Sequence, residues 1–195
     1  MSNAALPTFR FPDGTCIAQA QPKALGTVTM SSPAVQVMTD LTEIRAASVH
    51  PQTSLADAER AMISQGVRML FVVHDMPCVD GIVTVSDLKG PTPTRLVEER
   101  HVRYEELRVA DVMSPLASLD AIEYASLQRA TVEQIVATLR QFGRQHLLIV
   151  EDATPNTPAR IRGVVSATQV QKQLDTPLHL TTIAMTFAEI ERALV

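Results

Sequence analysis

The sequence predicts an α/β (α+β) fold made of two packed copies of one small unit, each ordered β-α-β-β-α. Three observations carry this expectation. First, Gly81-Ile82-Val83-Thr84-Val85-Ser86-Asp87-Leu88 is an apolar strand that breaks into hydroxyl, hydroxyl and carboxylate where a helix should begin. An altered copy stands at Gly163-Val164-Val165-Ser166-Ala167-Thr168-Gln169-Val170, with an amide in place of the acid. Second, continuously apolar runs at residues 69–73 and 147–150 precede the two copies; short and rich in branched side chains, they read as strands buried on both faces. Third, a helical stripe leads into each run. Leu55, Ala58, Ala61 and Met62 end at Gly66, and Val132, Ile135, Val136, Leu139 and Phe142 end at Gly143, each glycine suited to a left-handed helix cap. A unit this small covers its helices poorly, whereas two copies packed sheet to sheet share one core. The repeat therefore predicts an internal pair related by a pseudo-two-fold.

In chain order, residues 1–30 form an N-terminal arm. Phe9-Arg10-Phe11 and Thr15-Cys16-Ile17 flank the turn tripeptide Pro12-Asp13-Gly14, so the arm is either a hairpin on an edge or a loose tail. The first copy occupies residues 31–90. Ser31-Ser32-Pro33 predicts a short helix over 34–40, Ala47-Ser48-Val49 a short strand, and Ser54 with Asp57 a capping box for the following helix. Residues 91–108 are a charged connector, read as a solvated helix with pairs such as Glu99 to Arg103. The second copy occupies 109–175. Val109-Ala110-Asp111-Val112-Met113-Ser114 echoes residues 34–39, Ala125-Ser126-Leu127 echoes the first short strand, and Thr131 with Gln134 repeats the capping box. A longer loop with Pro155 and Pro158 separates its last two strands. In the C-terminal segment, 176–195, Thr186-Phe187-Ala188-Glu189 opens a short helix.

Composition narrows the function classes. At 46% hydrophobic and 19% charged, the chain has too much apolar content for disorder and should pack a core. A net charge of −4 gives no broad footprint for polymeric nucleic acid or an anionic membrane. Cys16 and Cys78 stand far apart with no metal-ligand spacing, and His50, His74, His101 and His179 are scattered, so neither a metal site nor a disulfide framework is expected. There is no basic-then-apolar leader and no run near the ~18 apolar residues of a membrane span, so a cytoplasmic location is expected. No phosphate loop or paired nucleophile and base is present, which predicts a protein that is not an enzyme.

Val37-Met38-Thr39, the helix carrying Ser54, Leu55, Ala58 and Met62, the run from Met69, and above all Gly81-Ile82-Val83-Thr84-x-x-Asp87-Leu88 resemble the CBS domain, named after cystathionine β-synthase. Val112-Met113-Ser114 and the segment from Gly163 to Val170 repeat the resemblance, which covers roughly residues 34–175. The resemblance implies a tandem CBS pair with two clefts that bind adenosine compounds: AMP, ADP, ATP, S-adenosylmethionine or dinucleotides. No further cofactor is required. It places the ribose signature on Thr84 and Asp87, with Ser86 as an extra hydroxyl. In the second cleft the carry-over stops at Ser166 and Thr168, because Gln169 replaces the acid, and that cleft is either empty, weaker or used by a different ligand. Phosphate donors are expected at Arg68, Arg144 and His146, with Gln145 beside them and Arg160 and Arg162 as further candidates.

The residues support this chemistry by themselves, since a carboxylate accepts from both vicinal hydroxyls of a ribose. The alternative reading of Asp87 is a first-turn acid that caps its own helix. The function expected is a non-enzymatic regulatory sensor for an adenosyl ligand, associating as a homodimer and acting on a protein effector. The alternative is a ligand-free assembly scaffold that binds a protein partner.

Overall fold

The computed structural model describes residues 26–153 and 158–178. The expected hairpin around Pro12-Asp13-Gly14 and the terminal helix at Thr186 lie outside the described residues. In chain order the elements are β1 (Met38–Asp40), β2 (Ser48–Val49), α1 (Leu55–Gln65), β3 (Met69–Val72), β4 (Gly81–Thr84), α2 (Val85–Lys89), α3 (Pro91–Arg100), α4 (Val109–Val112), β5 (Ser114–Pro115), β6 (Ala121–Glu123), α5 (Tyr124–Arg129), α6 (Val132–Phe142), β7 (His146–Glu151), β8 (Arg160–Ser166) and α7 (Ala167–Leu174). Both copies of the expected unit are present, as β2-α1-β3-β4-α2 and as β6-α6-β7-β8-α7 with α5 inserted after β6.

Local chemistry explains the element ends. Ser54 Oγ accepts from the Asp57 N–H at 3.1 Å, and the Thr131 N–H donates to Gln134 Oε1 at 2.9 Å, so both long helices start where the sequence places their caps. Gly66 (φ 65°) and Gly143 (φ 59°) end them in the left-handed conformation.

The strands form two four-stranded sheets, β2-β3-β4-β5 and β1-β8-β7-β6. Alternation along the buried strands divides the core into three layers. Leu70, Val72 and Val83 face α1, α2 and α3 on the outside of the first sheet, together with Leu107, Val109 and Val112. Leu147, Ile149 and Val165 face α5, α6 and α7 outside the second. Between the sheets lie Met69, Phe71, Ile82, Leu148 and Val164. A strand covered on both faces has no wet side to alternate toward, which is why its sequence is continuously apolar.

Each sheet takes its edge strand from the other half of the sequence. β1 precedes the first copy but pairs antiparallel with β8, whereas β5 precedes the second copy and pairs antiparallel with β4. The leading segment follows: Ala34 and Val37 are buried with the second copy's helices, and Val109 and Val112 with the first copy's. The two motif glycines lie where these exchanged strands cross. A Cβ on Gly81 would strike the Ser114 carbonyl oxygen, and one on Gly163 would stand 2.5 Å from Met38 Sδ and 2.8 Å from the Thr39 carbonyl oxygen.

The β1 crossing is locked by charge. Arg162 Nη2 donates to Asp40 Oδ2 at 2.8 Å and its Nε to Oδ1 at 3.1 Å, while its guanidinium lies 5.0 Å from the Tyr124 ring centroid. The hydrogen bonds from Arg162, and then those from Thr42, hold the Asp40 carboxyl far below its usual range.

Three sequence expectations are corrected. Residues 34–40 are not one helix: a 3-10 turn over Ala34–Val37 gives way to β1, because Met38, Thr39 and Asp40 find partners on β8. Residues 125–127 are not the short strand of the second copy; they lie in α5, and the strand is β6, which pairs with β7 through Ala121, Ile122 and Glu123. In that segment burial of Leu127 against the second core outweighs strand propensity. The connector does contain a helix, α3, but its pairs are Arg95 with Glu99 and Arg100 with Asp111 rather than Glu99 with Arg103.

Candidate functional site

The repeated motifs begin alike. Thr84 ends β4 and stands at the N-cap position of α2, and Ser166 ends β8 and stands at the N-cap position of α7. The Val85 N–H donates to the Arg68 carbonyl at 3.1 Å, and the Ala167 N–H to the Gln145 carbonyl at 2.9 Å, so each helix start is tied to the residue just before the neighbouring strand. Asp87 and Gln169 then occupy the third position of their helices and diverge. Asp87 Oδ2 accepts from the Thr84 N–H and the Thr84 hydroxyl, both at 2.7 Å, and the Asp87 N–H donates back to Thr84 Oγ1 at 3.4 Å. The acid closes a capping box on its own helix. Ser166 makes no side-chain cap, and Gln169 lines a cavity instead.

That cavity, of about 320 Å³, lies between the two copies. Leu41, Ala46, Val67, Met69, Phe71 and Val164 supply apolar wall; Thr39, Ser166, Thr168 and Gln169 supply hydroxyls and an amide. Arg45, Arg68 and Lys172 also line it, no Asp or Glu does, and none of these three cations makes an ion pair among the described residues. A second cavity of about 160 Å³ is lined by Arg68, Thr84, Val85, Ser86, Gln145, His146 and Thr168.

The residues expected from sequence are therefore distributed unequally. Ser166, Thr168 and Gln169 line the larger cavity, Thr84 and Ser86 the smaller, and Asp87 lines neither. Of the phosphate candidates, Arg68 and His146 line both cavities. Arg144 lines neither; its Nη2 lies 3.8 Å from Asp120 Oδ2 and 3.5 Å from the Ser118 carbonyl, so it pins the segment before β6. Arg160 and Arg162 are engaged by Glu151 and Asp40. Sequence reasoning missed Arg45 and Lys172. Lys172 had a readable signal, since it lies three residues after Gln169 on the same helix face; Arg45, in the irregular segment before β2, had none.

His146 opens β7 opposite Ser166. Burial, reinforced by the positive charge of Arg68, pulls its pKa down to about 4, so the imidazole is neutral near pH 7. Its Nδ1 is buried without a hydrogen-bond partner among the described residues. Among those residues no three His, Cys, Asp or Glu side chains gather as a metal site, and no helix is long and apolar enough to cross a membrane.

A sequence search of curated proteins finds no match. The CBS domain family model matches residues 25–90. Among solved structures, an uncharacterized conserved protein from Pyrococcus horikoshii superposes with a TM-score of 0.53 at 21% identity, over 78% of this chain and 98% of that one. A CBS-domain containing protein from Agrobacterium tumefaciens superposes with a TM-score of 0.52 at 16% identity, over 80% and 98%. At these identities the likeness speaks for the fold, and it extends across both copies. Residues 25–90 therefore carry a CBS domain, and the chain as a whole, with a second copy that repeats these elements and returns a strand to the first sheet, shares the fold of these structures.

Proposed function

We propose that this protein is a non-catalytic regulatory module that binds a phosphate-bearing adenosine nucleotide in the larger cleft. The observation that carries the reading is the cavity of about 320 Å³ whose apolar walls meet Arg45, Arg68 and Lys172, with no Asp or Glu lining it among the described residues. Its volume is at the lower end of small-molecule pockets, and its composition suits a flat base joined to an anion. S-adenosylmethionine, whose sulfonium and ammonium would face three cations, fits this lining less well than AMP, ADP or ATP. In this reading Asp87 is a structural cap, and the ligand contacts come from Ser166, Thr168 and Gln169.

The cleft also offers a route for output. Thr39 and Leu41 line the cavity, and Asp40 between them binds Arg162, so an occupant touches the exchanged strand that joins the two copies. Such coupling is typically worth about 1–3 kcal/mol.

Thermal unfolding with AMP, ADP, ATP, S-adenosylmethionine and NAD tests the proposal. At a hundredfold excess over Kd, a true ligand stabilises by about 2.7 kcal/mol, a shift of several degrees for a chain of this size. The expected result is a shift with phosphate-bearing ligands that the Arg45→Ala/Lys172→Ala double variant removes. No shift with any member would favour the assembly scaffold, and a shift that depends on Asp87 would move the site to the other cleft.

A further inference from the structure

The two cavities share a wall. Arg68, His146 and Thr168 line both, although they come from different copies. The remaining linings differ in kind. The larger cavity is mostly apolar with cations at its edge; the smaller has one apolar residue, Val85, among hydroxyls, an amide, an imidazole and a guanidinium. At about 160 Å³ the smaller is well below the size of an independent small-molecule site. Its counterpart of the missing ribose acid, Asp87, is held in the cap of α2. The smaller cavity therefore has donors for an anion but neither the room nor the apolar wall for a base.

We propose that the two cavities are one site for a single nucleotide per chain. The base and sugar occupy the larger cavity, and the phosphate chain crosses the Arg68–His146–Thr168 wall into the smaller, where Ser86 and Gln145 receive its end. The proposal rests on the nucleotide reading above and deepens it: the ligand is a nucleoside di- or triphosphate in preference to a monophosphate, and occupancy by one molecule excludes a second. Three features support it. The Ser86 hydroxyl and the Gln145 amide make no side-chain hydrogen bond among the described residues, so both are open to a ligand oxygen. His146, which lines both cavities, has an unpartnered Nδ1, and as the Nδ1–H tautomer the neutral imidazole would donate to a phosphate oxygen. Among the described residues no carboxylate lines the path to repel a polyanion.

Isothermal titration of the full chain with AMP, ADP and ATP in magnesium-free buffer tests this directly. The expected result is one ligand per chain and a roughly tenfold gain in affinity from AMP to ATP. The Ser86→Ala/Gln145→Ala double variant should lose most of that gain while binding AMP within about twofold of the unmodified chain, which also reports that it is folded. Two ligands per chain, equal affinity for AMP and ATP, or ATP binding untouched by the double variant would overturn the single-site proposal while leaving nucleotide binding in the larger cleft standing. Absence of binding by all three nucleotides would overturn both readings.

Discussion

Two helix starts of nearly the same sequence do different work in this molecule. In Thr84-Val85-Ser86-Asp87 the carboxylate turns back onto the Thr84 N–H and hydroxyl and completes a cap. In Ser166-Ala167-Thr168-Gln169 no such cap forms, and the amide lines the larger cavity beside Lys172. A third-position acid or amide can turn back onto its N-cap, as Gln134 does at the start of α6 with Thr131 N–H at 2.9 Å; Asp87 does so and Gln169 does not. The copy with the better family signature thus has the smaller cavity, and the degenerate copy borders the larger one. A motif residue marks a site only where packing leaves it facing one.

Four measurements test this contrast, in falling order of effect. The exchanged strands cross the two motif glycines unequally. Gly81→Ala meets backbone at Ser114 and Pro115 and should lower stability by roughly 2–3 kcal/mol in urea unfolding. Gly163→Ala meets the flexible Met38 side chain first, and should cost roughly 1–2 kcal/mol. Equal losses would show that the two crossings are equally rigid.

The next contrast is His146 against Met69, its counterpart at the start of β3. The folded pKa of His146 is about 4 against an ordinary 6.5. The unfolded chain therefore takes up a proton that the folded chain refuses, and stability falls as pH drops from about 6.5 toward 4, by at most about 1.4 kcal/mol per pH unit. His146→Met should flatten this window. Asp40 acts lower: its carboxyl is depressed by the Arg162 and Thr42 hydrogen bonds, so its contribution is intact above the ordinary carboxylate range and is lost as pH falls through the folded value. If His146→Met left the slope between pH 6.5 and 4 unchanged, burial of the imidazole would not be its source.

A smaller effect separates cap from ligand contact. Asp87→Ala should cost about 1 kcal/mol of stability through the lost capping box, and should leave nucleotide affinity within twofold. A tenfold loss of affinity with unchanged stability would instead make Asp87 the ribose contact. The smallest expected change is at Arg144, which is bound to Asp120 and lines neither cavity. Arg144→Ala should leave titration with AMP or ATP within twofold, whereas Arg68→Ala should weaken ATP binding about tenfold or more.

Much of the architecture was legible in the residues because it follows from local rules. The caps at Ser54 and Thr131, the left-handed glycines at 66 and 143, and the apolar strands from Met69 and Leu147 each follow from the chemistry of a few neighbours. The errors fell on short segments whose fate depends on distant partners. Residues 38–40 carry a weak helical pattern until β8 offers them hydrogen bonds, and residues 125–127 read as strand until Leu127 finds the second core.

The candidate site divides in the same way. The repeat, its two motifs and the missing acid at Gln169 were readable along the chain, because these are properties of order and residue type. Packing of the two copies sets which motif faces the larger space and brings Arg45 and Lys172 to it. It also makes Arg68, His146 and Thr168 common to both cavities. Those outcomes depend on where separate elements come to rest and on which hydrogen bond a side chain takes first, and neither quantity is written in the spacing of residues along the chain.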